Sequence, residues 1–272
     1  MSPEVGQIWD RFCMNVYTIS LKRNVNMKVR YGQQFYDFDK GIMSFTAPQQ
    51  VQSVDSEGIE RFREDGGCGY MLVFHPSFLY HHPLAKTIKT YGFFSYAVNE
   101  ALHLSELEES NVSGILGKIE AEYQNIDLYT QDIILSQIDL LLNYCNRFYQ
   151  RQFLTRKPNN HDLVMRIEKL VDDYFDSEEM LKRGMPSLEL FANEMNLSAH
   201  YLSDMLRTVS GRSLQQYIHE KLIAVAKEHL SSTDMSVANI AYLLGFEYPQ
   251  SFNKLFKKKT NISPLQFRRS FN

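Results

Sequence analysis

Nine polar side chains in the last third of this 272-residue sequence could recognise another molecule. They form two groups about fifty residues apart. The first group is His200, Ser203, Asp204 and Arg207, and the second is Gln250, Asn253, Lys254, Lys257 and Lys258. Amide, hydroxyl and imidazole groups hydrogen-bond the edges of DNA bases, and Lys and Arg pair with phosphates. Their types therefore predict contacts with double-stranded DNA.

Four histidines in the first half suggest a different chemistry, metal binding: His75, His81, His82 and His103. Imidazoles combined with a carboxylate are common ligands of catalytic metals. However, His81 and His82 are adjacent, so on a strand they would point to opposite faces. Structural or surface roles are favoured, and the sequence predicts no metal, cofactor or catalytic residue. An enzyme remains the alternative, with a metal-dependent first domain tethered to a DNA-binding module.

Two similar helix-turn-helix patterns would position the nine polar side chains. In the first, a helix begins at Ser187, turns at Asn196, and restarts after a Ser198 cap. In the second, a helix begins near Ser236 and breaks at Gly245. Small and apolar residues are predicted to form the cores of the two units: Ala192, Leu202, Leu206, Ile240, Ala241, Gly245, Phe246, Phe252 and Phe256. The polar side chains then face outward from the second helix of each unit.

A connecting helix is predicted from Ser213 to Leu230, with Ser213 and Gln216 forming a capping box. At 1.5 Å per residue it would span roughly 27 Å. A length of that order could place two reading helices about one DNA turn apart, roughly 34 Å. A last helix is predicted to begin at Ser263-Pro264.

These residues resemble the AraC/XylS family of bacterial transcription regulators. The resemblance covers about Asp162 to Asn272. It is carried by Ala192, the run from Ser198 to Leu202, Gly211, the run from Lys221 to Ala226, Ile240-Ala241, Gly245-Phe246, Phe252, the run from Phe256 to Lys258, Ser263-Pro264 and Phe267-Arg268. It implies a seven-helix, all-α domain that contains both helix-turn-helix units, and a sequence-specific DNA-binding regulator of transcription.

Three residues qualify this resemblance. Lys221 stands where the family often has arginine, and Asn261 where glycine is common. Asparagine tolerates the left-handed backbone that glycine would provide, so the turn is expected to survive. Asp204 would repel phosphate unless its carboxylate accepts a hydrogen bond from cytosine.

The charge distribution favours DNA binding by the C-terminal part. The whole chain has a net charge of −3, yet from Gln250 onward it contains six basic residues and no acidic ones. These six are Lys254, Lys257, Lys258, Lys259, Arg268 and Arg269. The chain is thus polarised toward a basic end.

The first hundred residues have short β-rich runs. Strands are predicted at Val16–Leu21, Met27–Tyr31, Phe35–Phe38, Ile42–Phe45, Val51–Val54 and Tyr70–Phe74, with a hairpin turn at Asp39–Gly41. An antiparallel β-barrel or sandwich follows, and the family resemblance implies a cupin-like sensor domain over residues 1–104. The aromatic residues Tyr70, Phe74, Phe93, Phe94 and Tyr96 are interpreted as core, with pocket lining as the alternative. The fold class is α+β.

Two helices are predicted after these strands, from Ser105 to Gln124 and from Tyr129 to Phe153. The second carries an apolar stripe of Ile134, Ile138, Leu141, Cys145 and Phe148, broadened by Ile133, Leu135, Leu140, Leu142 and Tyr144. This stripe is interpreted as a dimerisation surface within residues 105–155, with a fully buried core helix as the alternative. The polar residues 156–161 are predicted to be a linker before the DNA-binding domain, residues 162–272.

The cysteines and the hydropathy favour a cytoplasmic protein. Cys13, Cys68 and Cys145 show no paired or metal-type spacing, which is typical of a reducing compartment. No apolar run approaches the length of a membrane span, and no signal pattern is present at the N-terminus. The expected partners are promoter or operator DNA and a second copy of the chain. A small-molecule effector and RNA polymerase are further candidates.

Overall fold

The computed structural model describes residues 11–23, 41–53, 68–155, 157–177 and 179–271. The chain divides into two compact units, with the boundary between Asn159 and Asn160. The N-terminal unit contains the described strands and the C-terminal unit is helical. The α+β class is confirmed at this level.

The N-terminal unit is built on antiparallel strands. β1 (Arg11–Cys13) pairs with β4 (Val51–Ser53). A four-stranded sheet has the order β5-β2-β3-β6, formed by β2 (Tyr17–Arg23), β3 (Gly41–Thr46), β5 (Cys68–Phe74) and β6 (Leu102–Leu104). Within the described residues this sheet is not closed, so it is an open antiparallel sheet and not the predicted barrel.

The strand predictions are confirmed where β2, β3, β4 and β5 lie. The strands predicted at Met27–Tyr31 and Phe35–Phe38 lie outside the described residues, and so do Asp39 and Lys40 of the predicted hairpin turn. Sequence patterns did not indicate β1 or β6. Each has only three residues.

An aromatic core lies on one face of the sheet. The rings of Phe45 and Phe93 are 4.5 Å apart between centroids, and Phe93 stacks on Tyr149 at 5.5 Å. Phe74, Phe93, Phe94 and Tyr96 are buried, which confirms their interpretation as core, whereas Tyr70 is half-exposed.

Short helices connect β5 to β6. They are the 3-10 helices Pro76–Leu79, Ile88–Thr90, Gly92–Ser95 and Val98–Glu100, together with α1 (Leu84–Thr87). Two long helices follow, α2 (Glu106–Gln124) and α3 (Thr130–Thr155), close to the predicted bounds. The α2 N-terminus has a capping box between Ser105 and Glu108, which satisfies backbone N–H groups that the helix leaves unpaired.

The structure corrects the prediction that the apolar stripe on α3 is a dimerisation surface. Ile134, Ile138, Leu141, Cys145 and Phe148 are all buried inside the N-terminal unit. The thiol of Cys145 lies 3.7 Å from the sulfur of Met43 on β3, and burial raises the pKa of that thiol. These five side chains form the core that α3 shares with the sheet, so they are not available to a partner. The large apolar side chains that α3 exposes, Ile133, Leu140 and Leu154, lie outside this buried stripe.

The segment predicted as a linker also differs from expectation. α4 (Lys157–Asp176) begins within it, and Asn160 is buried. Pro158 falls in the first turn of α4, where a missing backbone N–H costs little. The proline therefore marks a helix start and not a break.

The C-terminal unit continues with short and long helices. They are α5 (Glu179–Arg183), α6 (Leu188–Glu194), α7 (Ala199–Ser210), α8 (Leu214–Ser232), α9 (Val237–Leu243), α10 (Pro249–Thr260) and α11 (Pro264–Arg269). With α4, this is one short helix, α5, more than the seven predicted. In the parts of the chain that the structure describes, no helix is long and apolar enough to cross a membrane.

Candidate nucleic-acid interface

The first helix-turn-helix unit is formed by α6 and α7. The hydroxyl of Ser187 accepts a hydrogen bond from the Leu190 N–H, and that of Ser198 accepts from the Tyr201 N–H. Between the helices Asn196 has a left-handed backbone with φ of 54°, and the Leu197 N–H donates to the carbonyl of Ala192 at 2.9 Å. This closes the turn as predicted, because asparagine accepts a conformation that most residues avoid.

The second unit repeats this construction with α9 and α10. Ser236 caps α9 through the Asn239 N–H, and Gly245 in the turn has φ of 76°. The Phe246 N–H donates to the carbonyl of Ala241 at 3.0 Å, which matches the bond between Leu197 and Ala192. In both units the first helix has seven residues and the second has twelve.

The second turn is one residue longer than the first, as the sequence predicts. The cap residues Ser187 and Ser236 are 49 residues apart, whereas Ser198 and Tyr248, which cap the second helices, are 50 apart. Tyr248 makes no side-chain capping bond, and Pro249 occupies the first helical position after it. A proline there needs no N–H partner and already has a helical φ.

The predicted cores of the two units lie inside the C-terminal unit. Seven of the nine side chains are buried, with at most 1% exposed: Ala192, Leu202, Leu206, Ile240, Ala241, Phe252 and Phe256. Gly245 and Phe246 are half-buried, and the Phe246 ring lies 5.5 Å from Phe252. The small side chains of Ala192 and Ala241 lie at the turn bonds described above, where the two helices of each unit meet.

The predicted DNA-contacting residues lie on the outer faces of α7 and α10. On α7, His200 and Arg207 are exposed, and Ser203 and Asp204 are half-buried. On α10 all five are exposed: Gln250, Asn253, Lys254, Lys257 and Lys258. The two faces differ in charge. Among these residues, α10 carries three lysines, whereas α7 carries one arginine and one aspartate. Both surfaces can donate and accept hydrogen bonds.

Both second helices end in the same way. Gly211 and Asn261 have φ of 70° and 65°, and their N–H groups donate to the carbonyls of Arg207 and Lys257. Asn261 therefore adopts the left-handed conformation expected of a helix-ending glycine. The expectation that this departure from the family pattern leaves the turn intact is confirmed.

Arg268 has a structural role that the sequence did not indicate. Its guanidinium donates to the carbonyl of Leu230 at 3.2 Å and to that of Met235 at 2.6 Å. Leu230 lies in the last turn of α8, where carbonyls lack helical partners, and Met235 lies just before α9. Arg268 thus holds α11 against the junction of the connecting helix and the second unit. The resemblance included this residue, but the partners of its side chain are distant in sequence.

The four histidines do not assemble a site in the described structure. The ring of His75 accepts from the Ser77 N–H, and that of His82 accepts from the Leu84 N–H, so both act as local caps. His81 and His82 lie in a turn and not on the strand assumed in the metal hypothesis. His103 is buried on β6. Among the described residues, no group of three or more His, Cys, Asp or Glu side chains could hold a metal ion.

Comparison with known proteins decides the family of the C-terminal unit. Residues 191–270 match a helix-turn-helix domain family. The chain is 29% identical over 104 residues to the probable transcription factor PqrA of Proteus vulgaris, a match covering 37% of this chain and 84% of PqrA. It is 28% identical over 118 residues to the regulatory protein PocR of Salmonella typhimurium, covering 43% of this chain but only 37% of PocR.

The C-terminal unit is an AraC/XylS-family DNA-binding domain. Among solved structures, the C-terminal domain of the response regulator AraT from Geobacillus stearothermophilus is similar at 29% identity, with a TM-score of 0.35. That match covers 39% of this chain and 84% of the AraT domain. The helix-turn-helix family match and the sequence relatives show that the chain is an AraC-family, sequence-specific DNA-binding transcription regulator.

Proposed function

We propose that α7 and α10 enter successive major grooves on one side of promoter DNA, so that the regulator recognises a bipartite operator. The observation that carries this proposal is the duplicated geometry. Both helices have twelve residues, follow a left-handed turn, and expose polar side chains on the outer face. An α-helix with its side chains is about 10–12 Å in diameter, so it fits the major groove of B-DNA, which is about 12 Å wide.

The exposed side chains divide into two roles by their chemistry. Arg207, Lys257 and Lys258 are cations that pair with phosphates, which gives affinity without sequence preference. Lys254 lies on the same exposed face and adds to this positive charge. The side chains proposed to read bases are those with both hydrogen-bond donors and acceptors: His200, Ser203, Gln250 and Asn253.

Asp204 gives α7 a selective role. Its carboxylate repels phosphates, but it can accept a hydrogen bond from the cytosine amino group. α7 therefore contributes discrimination, and the lysine-bearing α10 contributes more of the electrostatic affinity. This difference follows from the side chains on two helices of equal length.

The N-terminal unit is proposed to bring two copies of the regulator together in the cytoplasm and to respond to an effector. The outer face of α3 supports the dimer. Tyr129, just before α3, and Ile133 and Leu140 are 69%, 40% and 44% exposed, and they recur at helical spacing. Such a stripe is apolar enough to contact a second copy. An effector that changes the arrangement of the two copies would change how the operators are bound, and RNA polymerase is the downstream partner of such a complex.

Selection of bound sequences from a random duplex library tests the proposal. The full chain should enrich a motif with two elements separated by about one helical turn. The matched control is the same selection with Gln250 and Asn253 both replaced by alanine. This control should keep the α7 element and lose the α10 element. Enrichment of a single element by the unaltered chain would contradict the proposal.

A further inference from the structure

The last turn of α4 contacts three separate parts of the C-terminal unit. The Tyr174 ring packs edge-on against Phe191 of the first helix-turn-helix unit, with centroids 6.2 Å apart. The neighbouring Phe175 packs against the buried cluster that the connecting helix α8 forms with the second unit. Asp172 and Asp176 form ion pairs with the ammonium of Lys221 on the connecting helix α8, at 2.8 and 3.6 Å.

The segment after α4 continues this contact to the turn of the second unit. The Tyr174 hydroxyl donates to the Gly184 carbonyl at 2.9 Å. Gly184 lies against Gly245, since a Cβ added to Gly245 would be 3.4 Å from the Gly184 Cα and 3.5 Å from the Met180 methyl group. Met185 also packs on the buried cluster that α8 forms with the second unit. The turn at Gly245, which sets the direction of α10, thus packs on residues that precede the first helix-turn-helix unit.

These contacts provide a second connection between the two helix-turn-helix units. α8 joins them covalently, and its 19 residues span about 28 Å. The second unit also packs on α8, because Leu222, Ala226 and Leu230 share one buried cluster with it. The contacts through α4 and the segment that follows it are a further restraint on the angle between the two helix-turn-helix units. Lys221 ties these contacts to α8 itself, and the two aspartates raise the pKa of its ammonium group above the ordinary value.

We infer that the α4 side chains Asp172, Tyr174, Phe175 and Asp176 are positioning residues that fix the spacing between α7 and α10. They touch neither recognition face, so they act through the angle between the two units. They therefore determine the distance between operator elements that the regulator accepts. The inference rests on the proposed bipartite recognition.

Two variants of the full-length chain remove the connection with little loss of packing. Tyr174→Phe keeps the ring on Phe191 and removes the hydrogen bond to Gly184. Asp172→Asn combined with Asp176→Asn removes the charges that hold Lys221. The matched control is Glu220→Gln, which removes a carboxylate from α8 whose partner is Arg212, at 3.1 Å and in a pair about half exposed.

The affinity of each variant is measured for three duplexes. The first carries the two selected elements at the selected spacing, the second has one base pair inserted between them, and the third carries one element alone. Both coupling variants should lower the ratio of affinities between selected and altered spacing by about fivefold. That factor corresponds to about 1 kcal/mol, the typical net contribution of one hydrogen bond. Affinity for the single element should remain equal to that of Glu220→Gln, whereas the midpoint of thermal unfolding should fall by roughly the few degrees that a loss of about 1 kcal/mol entails.

Two results would overturn the inference while bipartite recognition stands. The spacing ratio could be unchanged in both variants, or all affinities, that for the single element included, could fall equally, which would mean a purely structural contact. A different result would contradict the proposed function itself. In that case the unaltered chain would bind one element as tightly as two, and no spacing preference would exist to be lost.

Discussion

At the scale of single residues, two neighbouring arginines near the end of the chain have different tasks. Both contribute to the basic C-terminal end that favours DNA binding in the sequence. The structure gives Arg268 two carbonyl partners inside the domain, whereas Arg269 is exposed. Charge counted along the sequence does not distinguish a cation that holds the fold from one that faces solvent.

Arg268→Ala should destabilise the C-terminal unit, because it leaves the carbonyls of Leu230 and Met235 without this donor. Hydrogen bonds to charged groups contribute about 1.5–3 kcal/mol, so the free energy of unfolding should fall by about that amount. Denaturant unfolding measures it, with Arg269→Ala as the matched control, expected within about 0.5 kcal/mol of the unaltered chain. Equal losses in the two variants would show that the Arg268 bonds do not contribute to stability.

Asn253 and Lys257, both on α10, should differ in the kind of affinity that they supply. Asn253→Ala should cost about 1–3 kcal/mol on the selected operator and little on unrelated DNA, because a base contact is lost. Lys257→Ala should weaken binding to all sequences and reduce the slope of log affinity against log salt by about 1. Fluorescence anisotropy titrations on both duplexes at several salt concentrations distinguish these outcomes. A loss independent of sequence in both variants would contradict the assigned roles.

At the scale of secondary-structure elements, local signals in the sequence predicted the recognition units well. Ser198, Ser213 and Ser236 begin helices by capping their N–H groups, and Asn196 and Gly245 turn the chain. These signals act within a few residues, so they are readable without knowledge of the tertiary fold.

Contacts between elements distant in sequence could not be predicted in the same way. The packing of Gly184 against Gly245 and the hydrogen bonds of Arg268 depend on how whole helices meet. The error at α3 has the same origin. The helix is apolar on more than one side, and helical periodicity alone does not indicate which side packs on the sheet. The boundary between the two compact units falls within the predicted linker, but the start of α4 there was not predicted because proline both begins and breaks helices.

Gly245→Ala tests whether the second turn needs its left-handed backbone. A side chain there strains a φ of 76° and adds a Cβ 3.4 Å from the Gly184 Cα. The left-handed conformation alone costs roughly 1–2 kcal/mol, so thermal unfolding of the C-terminal unit should shift downward. Gly114→Ala on α2 is the matched control, because the added Cβ meets no atom within 4 Å. This change should stabilise its helix by roughly 0.5–1 kcal/mol. An unchanged unfolding temperature in Gly245→Ala would show that an alanine at this position is not strained.

At the scale of the whole molecule, the two faces of α3 predict opposite consequences of substitution. Leu140 is 44% exposed, so Leu140→Arg should weaken self-association and leave thermal unfolding of the monomer unchanged. Ile138 is fully buried, so Ile138→Ala should destabilise the N-terminal unit by about 2–5 kcal/mol. Sedimentation velocity over a concentration series measures association, and calorimetry measures stability. A Leu140→Arg chain that associates like the unaltered one would exclude this face as the dimer surface.

On the proposed function, one chain reads DNA with two helices at once. Methylation interference on the selected operator, with the full-length chain, tests it most directly, because it identifies the guanines whose major-groove edges must remain free. We expect two clusters of interfering positions about one helical turn apart on the same face of the duplex. Alanine at Gln250 and Asn253 should abolish only one of them. A single cluster, or two clusters that both persist in this variant, would contradict recognition by α7 and α10 together.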